Sequence, residues 1–389
     1  MEYDNLFSLD AQNFMRSPVR DLFKKVDINS IYSFAGGYPS AQTFPLDRMS
    51  ELSQKTVEKY GAKSLQYGPT QGVPELREAL SRRYDVPVEN IMVSTSSQQG
   101  IDVCGRIMLD PGDVVLTSNP TYLGAIQTFK SYRAEMVGIE MSASFEACKK
   151  RDAQIGEILK SGKKIKYFYI IPDFQNPSGE TLSLAQRSEI VALARKYDFI
   201  IVEDSPYREL RYEGEHVATI YSLAPERTIH LGSFSKIFAP GLRLGWIIGP
   251  EELLNKIYEC KQSLDLCAPI FDQYLMTEYL ESGMLEENLP KSIALYKDKR
   301  DHLLSLLGKY MPEGVGWTHP EGGLFLFLTL PEEIDTVALY DKALSAGVAY
   351  VAGSFFHTDG KGRNTMRLNF SFLDKERMEA GIKILASIL

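Results

Sequence analysis

The sequence predicts an α/β fold: a mostly parallel seven-stranded sheet flanked by helices, with a smaller α/β domain attached. Three features point there. Seven short runs rich in β-branched and aromatic residues lie between residues 91 and 249, and amphipathic stretches separate most of them. Beyond residue 250 the pattern turns to long helices and only later returns to strands. Strands alternating with helices build a sheet through parallel βαβ crossovers.

In order, the strand candidates are 91–94 (IMVS), 114–117 (VVLT), 134–141 (AEMVGIEM), 165–172 (IKYFYIIP), 198–204 (DFIIVED), 228–233 (TIHLGS) and 242–249 (LRLGWIIG). Helical segments between them include 99–109, 122–132 and 183–196. Only about eight residues separate the last two strands, too few for a parallel crossover, so the final strand is expected to run antiparallel. Helices follow over 251–266, 268–284 and 286–309, then a strand near 324–329 and a helix near 334–346. Strands near 348–352 and 366–371 and a closing helix over 374–388 complete the chain. The expected division is a large domain over 48–285 and a small one over 286–389, with residues 1–47 folding back to join the latter.

The length of 389 residues allows a large core, and 44% apolar with 24% charged residues is an ordinary globular composition that excludes a disordered or fibrous chain. A net charge of −8 and a pI near 5.4 argue against nucleic acid as a partner, while leaving room for a local basic pocket. Cys104, Cys148, Cys260 and Cys267 form no CxxC pair and do not cluster with histidine. They read as buried free thiols in a reducing compartment, with no metal site. The N-terminus lacks a basic segment followed by an apolar one, and no apolar run approaches the ~18 residues of a membrane span. The expectation is a cytoplasmic protein without a membrane or nucleic-acid partner.

In an open α/β sheet, ligands bind outside the carboxyl ends of the strands. Polar residues gather there: STSSQQ after the first strand, NPTY after the second, DFQNPSG after the fourth, DSPY after the fifth and SFSK after the sixth. Five strand ends from distant parts of the chain converging on one crevice make a binding site the leading reading.

These segments carry a resemblance. SFSKIFAPGLRLGW (233–246), PDFQNPSG (172–179) and VEDSPY (202–207) resemble the lysine, asparagine and aspartate segments of the fold-type I, class I/II pyridoxal-phosphate aminotransferases. YGPTQGVPELREAL (67–80), PGDVVLTSNPTY (111–122) and MRLNF (366–370) are similar to other segments of that family, in the same order. FMRSPVRDLF (14–23) and SFAGGYPSAQTFP (33–45) resemble its α-aminoadipate/kynurenine subgroup. The resemblance implies the fold-type I architecture, pyridoxal 5′-phosphate as cofactor, and amino-acid and 2-oxo-acid substrates.

It also implies roles. A lysine amine must link covalently to the cofactor aldehyde and then move a proton at the substrate Cα; Lys236, between apolar flanks at a strand end, matches. The cofactor ring withdraws electrons best when its nitrogen stays protonated beside a buried carboxylate, which matches Asp204, with Glu203 facing the other way on an alternating strand. Tyr207 and Asn176 match the groups that bond the ring hydroxyl, although on composition alone Asn176 reads as a turn residue. Ser96, Ser97 and Gln98 open a helix whose amides suit a phosphate, and Ser233, Ser235 and Arg243 would complete the cup. Relatives usually carry glycine where this chain has Ser96. Tyr122 resembles the aromatic that stacks on the ring, a core tyrosine being the alternative. Tyr67 resembles the tyrosine that reaches the phosphate of a neighbouring subunit, which implies a homodimer with shared active sites. Arg367 resembles the arginine that grips the substrate α-carboxylate in a bidentate pair. Gly37 lies in the loop that lines the substrate pocket, and Arg20 matches an arginine that meets a distal substrate group, or else is a solvated helix residue.

The resulting expectation is an aminotransferase using an L-amino acid and 2-oxoglutarate or pyruvate, 2-aminoadipate-like or broad in specificity. A C–S lyase of the same fold shares the cofactor residues and is the alternative. A regulator built on this fold would need a DNA-binding segment, which the residues before Tyr32 are expected to be too few to supply, so that reading is not expected.

Overall fold

The computed structural model describes residues 3–14 and 30–389. In chain order the strands are β1 (Tyr32–Ser33), β2 (Ile91–Ser94), β3 (Val114–Ser118), β4 (Glu135–Ile139), β5 (Ile165–Ile170), β6 (Ile200–Asp204), β7 (Thr228–Ser233) and β8 (Gly245–Ile248). They continue as β9 (Gly316–Trp317), β10 (Phe325–Thr329), β11 (Val348–Ala349), β12 (Val351–Ala352) and β13 (Thr365–Asn369).

Seven of these form one sheet in the order β2-β8-β7-β6-β5-β3-β4. All neighbours are parallel except β8, which runs antiparallel to both β2 and β7. The segment 234–244 joining β7 to β8 is too short to cross over, so the chain turns back beside the strand it has left. The sheet is covered on both faces, and β5 shows how. Tyr167 and Tyr169 enter one apolar layer with Phe129 and Val202, while Phe168 and Ile170 enter the opposite layer with Ile190 and Ile201. A strand buried on both faces reads as a continuous apolar run, which is what IKYFYI is.

A second sheet, β12-β13-β10-β9, is antiparallel throughout, and β1 pairs with β11 in parallel. The 27-residue helix Met284–Tyr310 and the C-terminal helix Lys375–Ile388 supply Leu303, Leu307, Ile382 and Leu385 to the core against these sheets. Asp374 caps the latter by accepting from Arg377 N at 2.8 Å.

Three expectations need adjustment. The helix near 334–346 is confined to Tyr340–Ser345, because Asp335 Oδ1 accepts from Val337 N at 2.9 Å and Thr336 N bonds Arg363 O at 2.8 Å, so these groups leave the helical pattern. The strand near 348–352 divides at Tyr350, its two halves pairing with β1 and β13 respectively. Of the four unpaired cysteines, only Cys104 is buried, and the others are partly exposed. Among the described residues no helix is long and apolar enough to cross a membrane.

Candidate active site

The carboxyl ends of β2, β3, β5, β6 and β7 open into a cavity of about 920 Å³, closed on the far side by residues of β10 and β13. Its lining includes thirteen of the fifteen candidate residues: Gly37, Ser96, Ser97, Gln98, Tyr122 and Asn176, then Asp204, Tyr207, Ser233, Ser235, Lys236, Arg243 and Arg367. Tyr67 is not part of this wall; it stands 81% exposed on the surface. Arg20 lies outside the described residues.

Lys236 follows β7 and is partly buried. Its Nζ donates to Gly37 O at 2.7 Å, tying the lysine to the loop after β1. Burial first, and the charges of Arg367 and Arg243 second, lower its pKa to about 8.

Asp204 ends β6 and is buried. Oδ2 accepts a hydrogen bond from Tyr169 Oη at 2.7 Å, whereas Oδ1 has no protein partner. Burial raises this carboxyl to about 6 against the opposing effects of the Tyr169 bond and the His230 charge. Glu203 faces away, as the alternation of a strand requires. It accepts from Ile220 N and Tyr221 N at 2.9 Å and lies 3.1 Å from His230 Nδ1.

Asn176 sits on a loop that a buried ion cluster holds in shape. Asp173 accepts from Arg187 at 2.7 Å and from Arg208 at 3.0 Å; burial alone would raise its pKa, and the two arginines bring it below the usual range. Gln175 Nε2 donates to Ser118 Oγ at 2.6 Å and to Pro120 O at 2.8 Å, anchoring the same loop to the end of β3. Arg367, on β13, donates through Nη1 to Asn176 Oδ1 at 2.8 Å and through Nη2 to Ala35 O at 2.5 Å. Its guanidinium lies 4.3 Å from the Phe325 ring centre and 5.1 Å from that of Phe356. Burial lowers its pKa to about 10, and its Nε has no protein partner. Tyr207 is buried, edge-on to Phe325 at 5.7 Å, and burial pushes its hydroxyl pKa upward.

At the other end of the cavity, Ser233 Oγ donates to Ser235 Oγ at 3.0 Å and accepts from Ser235 N at 3.1 Å. Arg243 Nη2 donates to Ser96 Oγ at 2.7 Å. Both residues take the left-handed backbone, with φ of 67° at Ser96 and 55° at Arg243. A Cβ on Gly245 would stand 2.9 Å from the Ser96 backbone carbon, so the turn before the helix Ser96–Met108 packs directly on β8. Tyr122 Oη donates to Gln98 Oε1 at 3.3 Å, and Gln98 Nε2 to Thr128 Oγ1 at 3.0 Å.

Sequence reasoning missed Tyr169, the partner of Asp204, and the two rings that flank Arg367, Phe325 and Phe356. Strand alternation in IKYFYI does put Tyr167 and Tyr169 on one face. No local pattern marks Phe325 or Phe356, whose place depends on how the second sheet meets the first.

The sequence matches the family model for aminotransferase class I and II over residues 35–385. It is 43% identical to aromatic-amino-acid aminotransferase 1 of Thermococcus litoralis, across 100% of this chain and 95% of that protein. The fold superposes on a Pyrococcus horikoshii kynurenine aminotransferase, solved in complex with PMP, with a TM-score of 0.95 and 41% identity over 100% of this chain and 97% of that one. An α-aminoadipate aminotransferase of Thermus thermophilus, complexed with N-(5'-phosphopyridoxyl)-L-leucine, gives a TM-score of 0.91 and 32% identity, covering 100% and 98% of the two chains.

Proposed function

The chain belongs to the class I and II aminotransferase family and is a pyridoxal-phosphate enzyme; from that premise we propose that it moves an amino group between an L-amino acid and 2-oxoglutarate or pyruvate, with a broad or 2-aminoadipate-like choice of donor. The observation that carries this reading is the sharing of one cavity by the Lys236 amine, the unpartnered Oδ1 of Asp204 and the buried Arg367 guanidinium. The kinship with enzymes acting on aromatic amino acids, kynurenine and aminoadipate supports the breadth.

The residues present fit the cofactor. A buried carboxylate oxygen lacking a partner is a ready acceptor for a protonated ring nitrogen. The Ser233 and Ser235 hydroxyls, the helix start at Ser96–Gln98 and the Arg243 guanidinium form a donor-rich end suited to a phosphate. Bound there, pyridoxal phosphate supplies an aldehyde that takes up the amino group and a ring that withdraws electrons from the substrate Cα.

The chain's own groups do the rest. Asp204, ionised above about pH 6, would keep the ring nitrogen of the bound cofactor protonated. Asn176 and Tyr207, which line the cavity, would hold the ring hydroxyl, and Tyr122 would lie against the ring. Arg367 pairs with the substrate α-carboxylate and so fixes the Cα–H direction. Lys236, its pKa lowered to about 8, is neutral in about one molecule in ten at pH 7, far more than an ordinary lysine, and serves as the base that moves a proton from the Cα.

The proposal includes a homodimer in which the exposed Tyr67 serves the partner's phosphate site, and a cytoplasmic location in keeping with four cysteines that form no disulfide. It also divides the chain into 48–285 and a smaller unit of 1–47 with 286–389, supported by the pairing of β1 with β11. Borohydride treatment of the yellow holoenzyme followed by peptide mapping tests the site: the label is expected on Lys236. A label on another lysine overturns it. Bleaching by an amino acid, reversed by 2-oxoglutarate or pyruvate, supports transfer; release of a thiol and a 2-oxo acid from a sulfur amino acid would instead support a lyase.

A further inference from the structure

We propose that Tyr169 is a positioning residue for the cofactor, holding the Asp204 carboxylate so that one oxygen faces the cavity. This inference rests on the role proposed above for Asp204.

The geometry separates the two oxygens of Asp204. Oδ2 is taken by the Tyr169 hydroxyl at 2.7 Å, in a contact where both residues are buried. Oδ1 is buried without a partner in a residue that lines the cavity. A carboxylate on a strand end can rotate about its terminal bond, and that torsion is broad. A hydrogen bond to one oxygen selects the rotation that offers the other. Tyr169 is itself confined by packing: it is fully buried on β5 and lies edge-on to Phe129 at 5.5 Å. Burial, the Asp204 charge and the hydrogen bond all push its hydroxyl pKa well upward, so it stays a donor throughout the working range.

The same strand carries a matched control. Tyr167 is two residues earlier on the same face, equally buried, and meets Phe129 edge-on at 5.6 Å. Its hydroxyl finds no partner. The two tyrosines differ in what the hydroxyl reaches, while burial and ring packing are alike.

The hydrogen bond also favours the ionised form of Asp204. The other titratable groups bearing on this carboxyl are His230 from β7, Cys104 from the helix Ser96–Met108 and Tyr207 from its own loop. None of these donates a hydrogen bond to it among the described contacts, so Tyr169 is the group whose removal changes the carboxylate directly.

The test compares Tyr169→Phe and Tyr167→Phe holoenzymes by the equilibrium retention of pyridoxal phosphate across pH, measured as cofactor released on dialysis. Tyr169→Phe is expected to weaken retention roughly tenfold, the worth of a hydrogen bond to a charged group. Its acid limb should move to higher pH, because Asp204 then ionises later. Tyr167→Phe should stay within about twofold of wild type, with a melting temperature equal or higher, since it removes a buried hydroxyl that bonds nothing. Equal retention and equal pH limbs in the two variants would overturn the inference, whatever their stabilities. Asp204→Asn separates this from the parent reading. If Asp204→Asn retains cofactor like wild type, the role of Asp204 itself fails. If it loses cofactor while Tyr169→Phe does not, only the role of Tyr169 fails.

Discussion

Arg367 Nη1 donates to Asn176 Oδ1 at 2.8 Å, joining the second sheet to the loop that ends β5. The bond fixes the fork of the guanidinium beside the site proposed for the cofactor ring hydroxyl, so it ties the group proposed to hold the substrate to one proposed to hold the ring. Arg367→Lys keeps the charge but loses the planar fork. It should weaken kcat/KM for every amino donor, with the loss shared between acidic and apolar ones.

Donor choice gives the second expectation. If Arg20 meets a distal carboxylate, Arg20→Ala should lower kcat/KM for 2-aminoadipate or glutamate by about one to two orders of magnitude, the worth of a charge-assisted contact of roughly 1.5–3 kcal/mol. Leucine and methionine present no distal charge and should be nearly unaffected. An equal loss on both classes would deny Arg20 a part in donor choice.

The role proposed for Asp204 sets activity against stability. Its folded pKa of about 6 lies above the ordinary 3.8, so the carboxyl is held more comfortably protonated than ionised. The stability linked to this group is therefore full below the unfolded pKa and is lost as pH rises from there through about 6. Asp204→Asn removes that loss, and the cofactor-free variant should be more stable than wild type at pH 7.5, by something on the order of 1–3 kcal/mol in urea unfolding. Turnover should fall by at least about 10²–10³-fold, since an electrostatic partner of the reacting system is gone. Near-normal turnover would place the ring-nitrogen partner elsewhere.

Ser96 tests backbone strain. Ser96→Gly should release about 1 kcal/mol at a φ of 67°, raising or preserving the melting temperature. The same change removes the oxygen that Arg243 bonds at 2.7 Å, and cofactor affinity should drop. Ser96→Ala keeps the strain and loses the bond, so it should lower both. Affinity that merely follows stability across the pair would deny Ser96 a part in orienting Arg243.

Shared active sites are checked by mixing. Lys236→Ala dimers should be inactive and Tyr67→Phe dimers impaired. Hybrids carry one site with both lesions and one with neither, so subunit exchange should raise the activity of the mixture above its value before exchange. An active species that sediments as a monomer at assay concentration contradicts the arrangement.

Much of this protein is legible in its sequence because burial imprints the backbone period on the chain. The apolar runs mark all seven strands of the main sheet, and the short link after TIHLGS marks the antiparallel turn into β8. Alternation along FIIVED separates Asp204 from Glu203, and polar residues at the strand ends gather Lys236, Asn176 and Ser97 at one edge, since a parallel sheet brings its carboxyl ends together. The remainder depends on which distant surfaces meet. That Tyr169 rather than Tyr167 reaches Asp204 follows from the register of β5 against β6, where Tyr169 pairs with Val202. That Arg367 meets Asn176, between the rings of Phe325 and Phe356, follows from the packing of the second sheet on the first. Val348–Ala352 divides between two sheets because β1 and β13 both compete for its backbone groups. Local periodicity encodes what each segment buries, and only tertiary packing sets the partner it buries against.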